Sequence, residues 1–111
     1  MDSLGNYREI LRRILIDHTR IAAPRNDVRY ETIFDQSGDH YLVVLQGWDG
    51  HRRIHACIIH VDIIDSKFWI QHDGTDYGIA NKLFDAGVPK DHIVLGFKSQ
   101  EMRKYTEFAA A

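Results

Sequence analysis

QGWDGHRRIHACIIHVDIIDSKFWIQHDGT, residues 46–75, reads as three strands joined by two tight turns. Asp49-Gly50 is a two-residue hairpin signal, because glycine accepts the positive φ that a type I′ turn demands. Asp65-Ser66 is the second turn, built from two turn-forming side chains. Between them Arg52–Ile64 forms one long strand, and Lys67–His72 forms the next. The long strand contains a conflict of phase. Ile54, Ala56 and Ile58 share one face, whereas Ile59, Val61 and Ile63 share the other, since side chains alternate along a strand. Burial on both faces is one explanation. A β-bulge near Ile58-Ile59 is the other, and it is preferred because long strands bend. The bulge would gather Arg53, His55, His60 and Asp62 on one side. Cross-strand pairing would add Gln46 and Trp48 from one neighbour, and Trp69 and Gln71 from the other.

Upstream, Val28–Asp35 and His40–Trp48 read as two more strands around the turn Gln36-Ser37-Gly38-Asp39. Before them, Ser3–Ala22 reads as an amphipathic helix. Leu4, Tyr7, Leu11, Ile14, Leu15, His18 and Ile21 recur at three- and four-residue steps. Ser3 is its expected N-cap and Pro24 its stop. Arg8, Arg12, Arg13 and Arg20 lie on its polar side, with Glu9–Arg13 and Arg13–Asp17 as i,i+4 pairs. Downstream, Thr75–Ala86 reads as a second helix, capped by Thr75 and ended by Gly87, Val88 and Pro89. A short apolar strand over Ile93–Phe97 follows, then a helical turn at Ser99–Lys104 and an extended, docked tail at Tyr105–Phe108. The predicted fold is α+β: an N-terminal helix, a four-stranded antiparallel meander, a second helix, a short C-terminal strand and a tail.

The chain has 111 residues, which predicts one domain over 1–111. Its net charge of −2 supplies no basic field for nucleic acid. One cysteine, Cys57, rules out an internal disulfide and fits a reducing cytoplasm. No apolar run reaches the roughly 20 residues of a membrane span. The N-terminus has no basic-then-apolar export signal.

Four chemistries can be weighed against structural roles. His60 and Asp62 share a strand face, but with Asp65-Ser66 as the turn, His60 pairs with Gln71 and His72 points away. A zinc site then falls one ligand short, and no metal or cofactor is expected. Asp62 followed by Asp65-Ser66-Lys67 has the outline of a metal-dependent nuclease motif. Asp65 and Ser66, however, read better as turn formers. A nuclease using His60, Asp62 and Asp73 is the rival reading. Cys57 is expected as inert core packing. His51, Arg52 and Arg53 beside Trp48, with the helix arginines, are the candidates for direct DNA contact. No complete catalytic constellation emerges. A polar, tryptophan-bearing sheet face suits a protein interface, because Trp and Arg are enriched among binding hot spots. Trp48, Arg52, Arg53, His55, His60, Asp62, Trp69 and Gln71 are the expected partner-binding residues.

Gly47-Trp48-Asp49-Gly50 with Arg52-Arg53-Ile54, then Ile59-His60-Val61-Asp62, then Trp69-Ile70-Gln71-His72-Asp73-Gly74-Thr75, resembles the XisI family. Gly87 to Phe97 and Thr106-Glu107-Phe108-Ala109 resemble its C-terminal signature, so the likeness runs from Tyr7 to the end. Asp76 also fits the family pattern, whereas Tyr77-Gly78 and Lys98–Arg103 depart from it. The resemblance implies an fdxN element excision controlling factor of heterocyst-forming cyanobacteria. That is an accessory role in DNA rearrangement beside an XisH-like protein and a site-specific recombinase. It brings no catalytic residues, so a non-enzymatic, cytoplasmic factor is expected. It would touch DNA indirectly, and a second copy of itself is an alternative partner.

Overall fold

The computed structural model describes residues 3–21 and 27–111. Helix α1 is Ser3–Ile21. It is followed by strands β1 (Val28–Asp35), β2 (His40–Asp49), β3 (Arg52–Ile64) and β4 (Lys67–Asp73). Helix α2 (Ile79–Asp85), strand β5 (Ile93–Leu95) and the short helix α3 (Gln100–Arg103) complete the chain. The strands lie in the order β1-β2-β3-β4-β5, antiparallel except for the parallel β4–β5 pair. The α+β meander read from the sequence is therefore the observed architecture. Ser3, expected as the cap, is the first described residue and already lies within α1, while the expected Pro24 stop lies outside the described residues.

Both longer helices cover one face of the sheet. Leu11 and Leu15 of α1 and Ile79, Ala80 and Leu83 of α2 meet Tyr41, Val43, Ile59, Val61, Phe68 and Ile70 in one core. Each fully buried aliphatic side chain there contributes about 1.5–3 kcal/mol. A forked ion pair fixes α1 to the sheet. Arg8 Nε and Nη2 donate to the two Asp39 oxygens at 2.8 and 3.0 Å. The Arg8 bonds hold the Asp39 carboxyl below its ordinary range. Of the two ion pairs expected along α1, Glu9–Arg13 is present, but Asp17 sits 3.9 Å from Arg20 instead of pairing with Arg13.

Three local features differ from the sequence reading. The β2–β3 turn is Gly50-His51, since Asp49 pairs with Arg52. Its positive φ falls on Gly50, at 62°, and not on His51, which is the demand of a II′ turn and not of I′. Helix α2 begins four residues later than expected, and Thr75 is not its cap. Asp73 reaches forward instead, its Oδ2 accepting from the Ile79 N–H at 2.7 Å and its Oδ1 from the Thr75 N–H at 2.9 Å. Finally, β5 ends at Leu95. The C-terminus of α2 follows expectation. Gly87 has φ 100°, and the Val88 and Gly87 N–H groups donate to Leu83 and Phe84 carbonyls. This is a Schellman motif, with Val88 buried beside the core.

The Asp65-Ser66 turn has φ of 52° and 63°, so both residues are left-handed. An L side chain costs roughly 1–2 kcal/mol there, offset in part by the entropy of a glycine. Ser66→Gly is expected to stabilise the protein by about 0.5–1 kcal/mol. The measurement is urea unfolding, read as a higher midpoint at unchanged slope.

Candidate functional site: the uncovered sheet face

The bulge decides which side chains share a face. Val43 pairs with Ile59 and Val44 with Cys57, so Ile58 is the extra residue of β3. Below it, Ile59, Val61 and Ile63 point to the core; above it, Ile54 and Ala56 take that side. The uncovered face therefore carries Arg53, His55, His60 and Asp62, as expected from the preferred reading, and Cys57 besides. Trp48 stands opposite Arg53, Gln46 opposite His55, and Trp69 opposite Asp62. Arg52 pairs with Asp49 and falls on the reverse side by alternation.

Cys57 corrects the reading that made it core. The bulge turns it outward, and it is exposed. Partial desolvation of the sulfur still pushes its thiol above the ordinary range, which disfavours the nucleophilic thiolate.

These residues form two patches on one strip. The first is the hairpin tip, where the Arg53 guanidinium lies 5.4 Å from the Trp48 ring centroid and Trp48 is 51% exposed. The second is nearer the β4 side. Its centre is Asp62, only 8% exposed, whose Oδ1 is 2.7 Å from His40 Nδ1 and 2.9 Å from His60 Nε2. The Gln71 amide donates to Asp62 Oδ2 at 3.3 Å. Burial opposes the Asp62 charge, but the two histidine bonds outweigh it and hold the carboxyl below its ordinary range. The bond to Asp62 in turn raises the His40 pKa.

Trp69 flanks this second patch, partly covered by the C-terminal segment. The Arg103 guanidinium lies 5.1 Å from its ring centroid, and the Ala109 N–H donates to the Ile93 carbonyl at 2.9 Å. Nine positions of β3 separate the partners of Trp48 and Trp69, Arg53 and Asp62, which is about 25–30 Å along a strand. The tryptophans therefore belong to separate patches. A standard interface of about 800 Å² per partner is wide enough to touch both.

His40 is the member that sequence reasoning missed. It lies opposite Asp62 only because the bulge shifts the β2–β3 register by one. A second bulge, at Gln71, pairs His60 with His72 instead of with Gln71. That overturns the expected register, while Gln71 still reaches Asp62.

The other candidates are engaged elsewhere. Asp73, named in the nuclease reading, is turned to the start of α2. Asp65 and Ser66 are the exposed turn they resembled. The α1 arginines face acids: Arg8 meets Asp39, Arg12 and Arg13 meet Glu9, and Arg20 meets Asp17. Among the described residues, no helix is long and apolar enough to cross a membrane.

The family model described as XisI protein matches residues 1–110. The crystal structure of a XisI-like protein from Anabaena variabilis is similar, with a TM-score of 0.92 at 36% identity, over 97% of this chain and 99% of that one. The fdxN element excision controlling factor XisI from Anabaena variabilis aligns with a TM-score of 0.85 at 33% identity, over 99% of this chain and 100% of that one. No curated protein matches the chain.

Proposed function

Because this chain belongs to the XisI family, we propose that it is an accessory factor that controls excision of an fdxN-type DNA element by protein contact. The observation that carries this reading is the uncovered sheet face. Both longer helices pack on the opposite side, and Trp48 and Arg53 stay exposed at the hairpin tip. Exposed tryptophan stacked with arginine is the composition of a binding anchor. An XisH-like protein is the proposed partner, with a recombinase acting in the same assembly. The chain itself performs no turnover, and DNA is reached through the partner. The pairing of the α1 arginines with acids supports that indirect route, since paired cations release fewer counterions on a phosphate backbone.

The test is association with the cognate XisH-like protein, measured by calorimetry. Trp48→Ala should weaken binding by about 2 kcal/mol, or roughly 30-fold. Trp69→Ala, already stacked by Arg103, should weaken it less. Unchanged affinity in both variants would remove this face from the interface.

A further inference from the structure

We propose that His40, His60 and Asp62 form a binding site for one zinc-class divalent ion on the uncovered sheet face. This goes beyond the partner-binding reading and does not depend on it. Three donor atoms converge there from adjacent strands, all within 4.8 Å of one another. Two imidazoles and a carboxylate are ligands that zinc accepts, at about 2.0–2.2 Å each. Tetrahedral ligands at that distance stand about 3.3 Å apart. The histidine nitrogens now lie 2.7 and 2.9 Å from Asp62 Oδ1, so loading needs an outward shift of about half an ångström.

Support and access are both present. The Gln71 amide holds the second Asp62 oxygen, which is how an outer-shell partner orients a ligating carboxylate. Paired strands hold the backbones of His40 and Asp62 in register. The His40 side chain is 54% exposed, which gives an ion an entry path. Asp35 and Asp39 add negative potential beside His40. An ion held by these three leaves at least one coordination position facing outward, open to water or to a donor from a docked macromolecule. Magnesium and calcium, which prefer oxygen ligands, fit this nitrogen-rich set poorly.

The experiment titrates the metal-free full chain with Zn²⁺, Co²⁺ and Mg²⁺. Calorimetry should show one Zn²⁺ per chain, with a higher melting temperature. Co²⁺ should give the visible bands of a four-coordinate ion, and Mg²⁺ should give no binding. His40→Gln and His60→Gln should each lower Zn²⁺ affinity by about a hundredfold, while His51→Gln and His55→Gln leave it unchanged. Circular dichroism checks the fold of each variant. Should His60→Gln fail to fold, His40→Gln carries the test, because its side chain is more exposed. No Zn²⁺ binding, or binding that survives in a folded His40→Gln variant, overturns the proposal and leaves the cluster as a hydrogen-bonded network only.

Discussion

Gly47→Ala is expected to destabilise the protein by about 3–5 kcal/mol. A Cβ at this position would stand 2.0 Å from the Asp27 carbonyl oxygen and 2.7 Å from Val28 Cα. Both obstacles are backbone, so no flexible side-chain tip can swing away. The φ of 150° adds strain for any L residue. The Trp48 N–H also donates to the Asp27 carbonyl at 3.0 Å, which holds the start of β1 against β2 at the point of closest approach. Relief of the clash would break that bond and peel Val28, which is buried, from its place. The loss is a large share of the roughly 5–15 kcal/mol expected for a domain of this size. Thermal unfolding should show a fall of more than about 10 °C. A fall of only a few degrees would mean that β1 yields here at little cost, contrary to the packing described. Because Trp48 is the next residue, the variant should also weaken partner binding beyond its effect on stability.

Asp73→Ala should cost about 3 kcal/mol, combining a lost helix cap with lost bonds to a carboxylate. Helix α2 has only the residues Ile79–Asp85, and Gly78 at its N-cap offers no side chain. Asp73 supplies the missing acceptor from six residues away. Its Oδ1 also accepts from the Thr75 hydroxyl at 2.6 Å, and that hydroxyl accepts from the Gly78 N–H at 3.2 Å. Removing the carboxylate leaves the Thr75 and Ile79 N–H groups without their acceptor, and Ile79, Ala80 and Leu83 lose an anchor against the sheet. Asp73→Asn keeps one amide oxygen, so about 1 kcal/mol should be lost. Equilibrium urea unfolding distinguishes the two variants. The pair also separates the binding-module reading from a nuclease that uses His60, Asp62 and Asp73. An architectural Asp73 predicts a stability loss in Asp73→Ala and unchanged Zn²⁺ binding in the folded Asp73→Asn variant. A nuclease ligand predicts the loss of metal instead.

Strands were legible wherever alternation and turn chemistry agreed. Val28–Asp35 and Arg52–Ile64 have the bounds expected from the sequence. The phase conflict at Ile58-Ile59 favoured a bulge over burial on both faces, because long strands bend, and the register shift is the observed one. What stayed hidden needed register. His40 reaches Asp62 only when the pairing is counted from the Gly50-His51 turn and then shifted by one at Ile58. Counting from Asp49-Gly50 without that shift puts Ile59, a core residue, opposite His40. Cys57 was misread against the bulge itself, since it shares the parity of Arg53 and His55 and so falls on the uncovered face. The remote cap on α2 left only a weak signal. Thr75 has the right chemistry for a cap, but the loop through Gly78 carries it away from the helix start.

Binary patterning, turn formers and the Gly87 stop were enough to determine an α+β meander with two helices, because each is a property of neighbours along the chain, whereas the packing of both helices on one face was decided by the tertiary structure. The clustering of His40, His60 and Asp62, the separation of the two tryptophans and the capping by Asp73 were decided only in three dimensions. They depend on which strand positions stand opposite each other, and a single inserted residue changes that without altering the local pattern on either side.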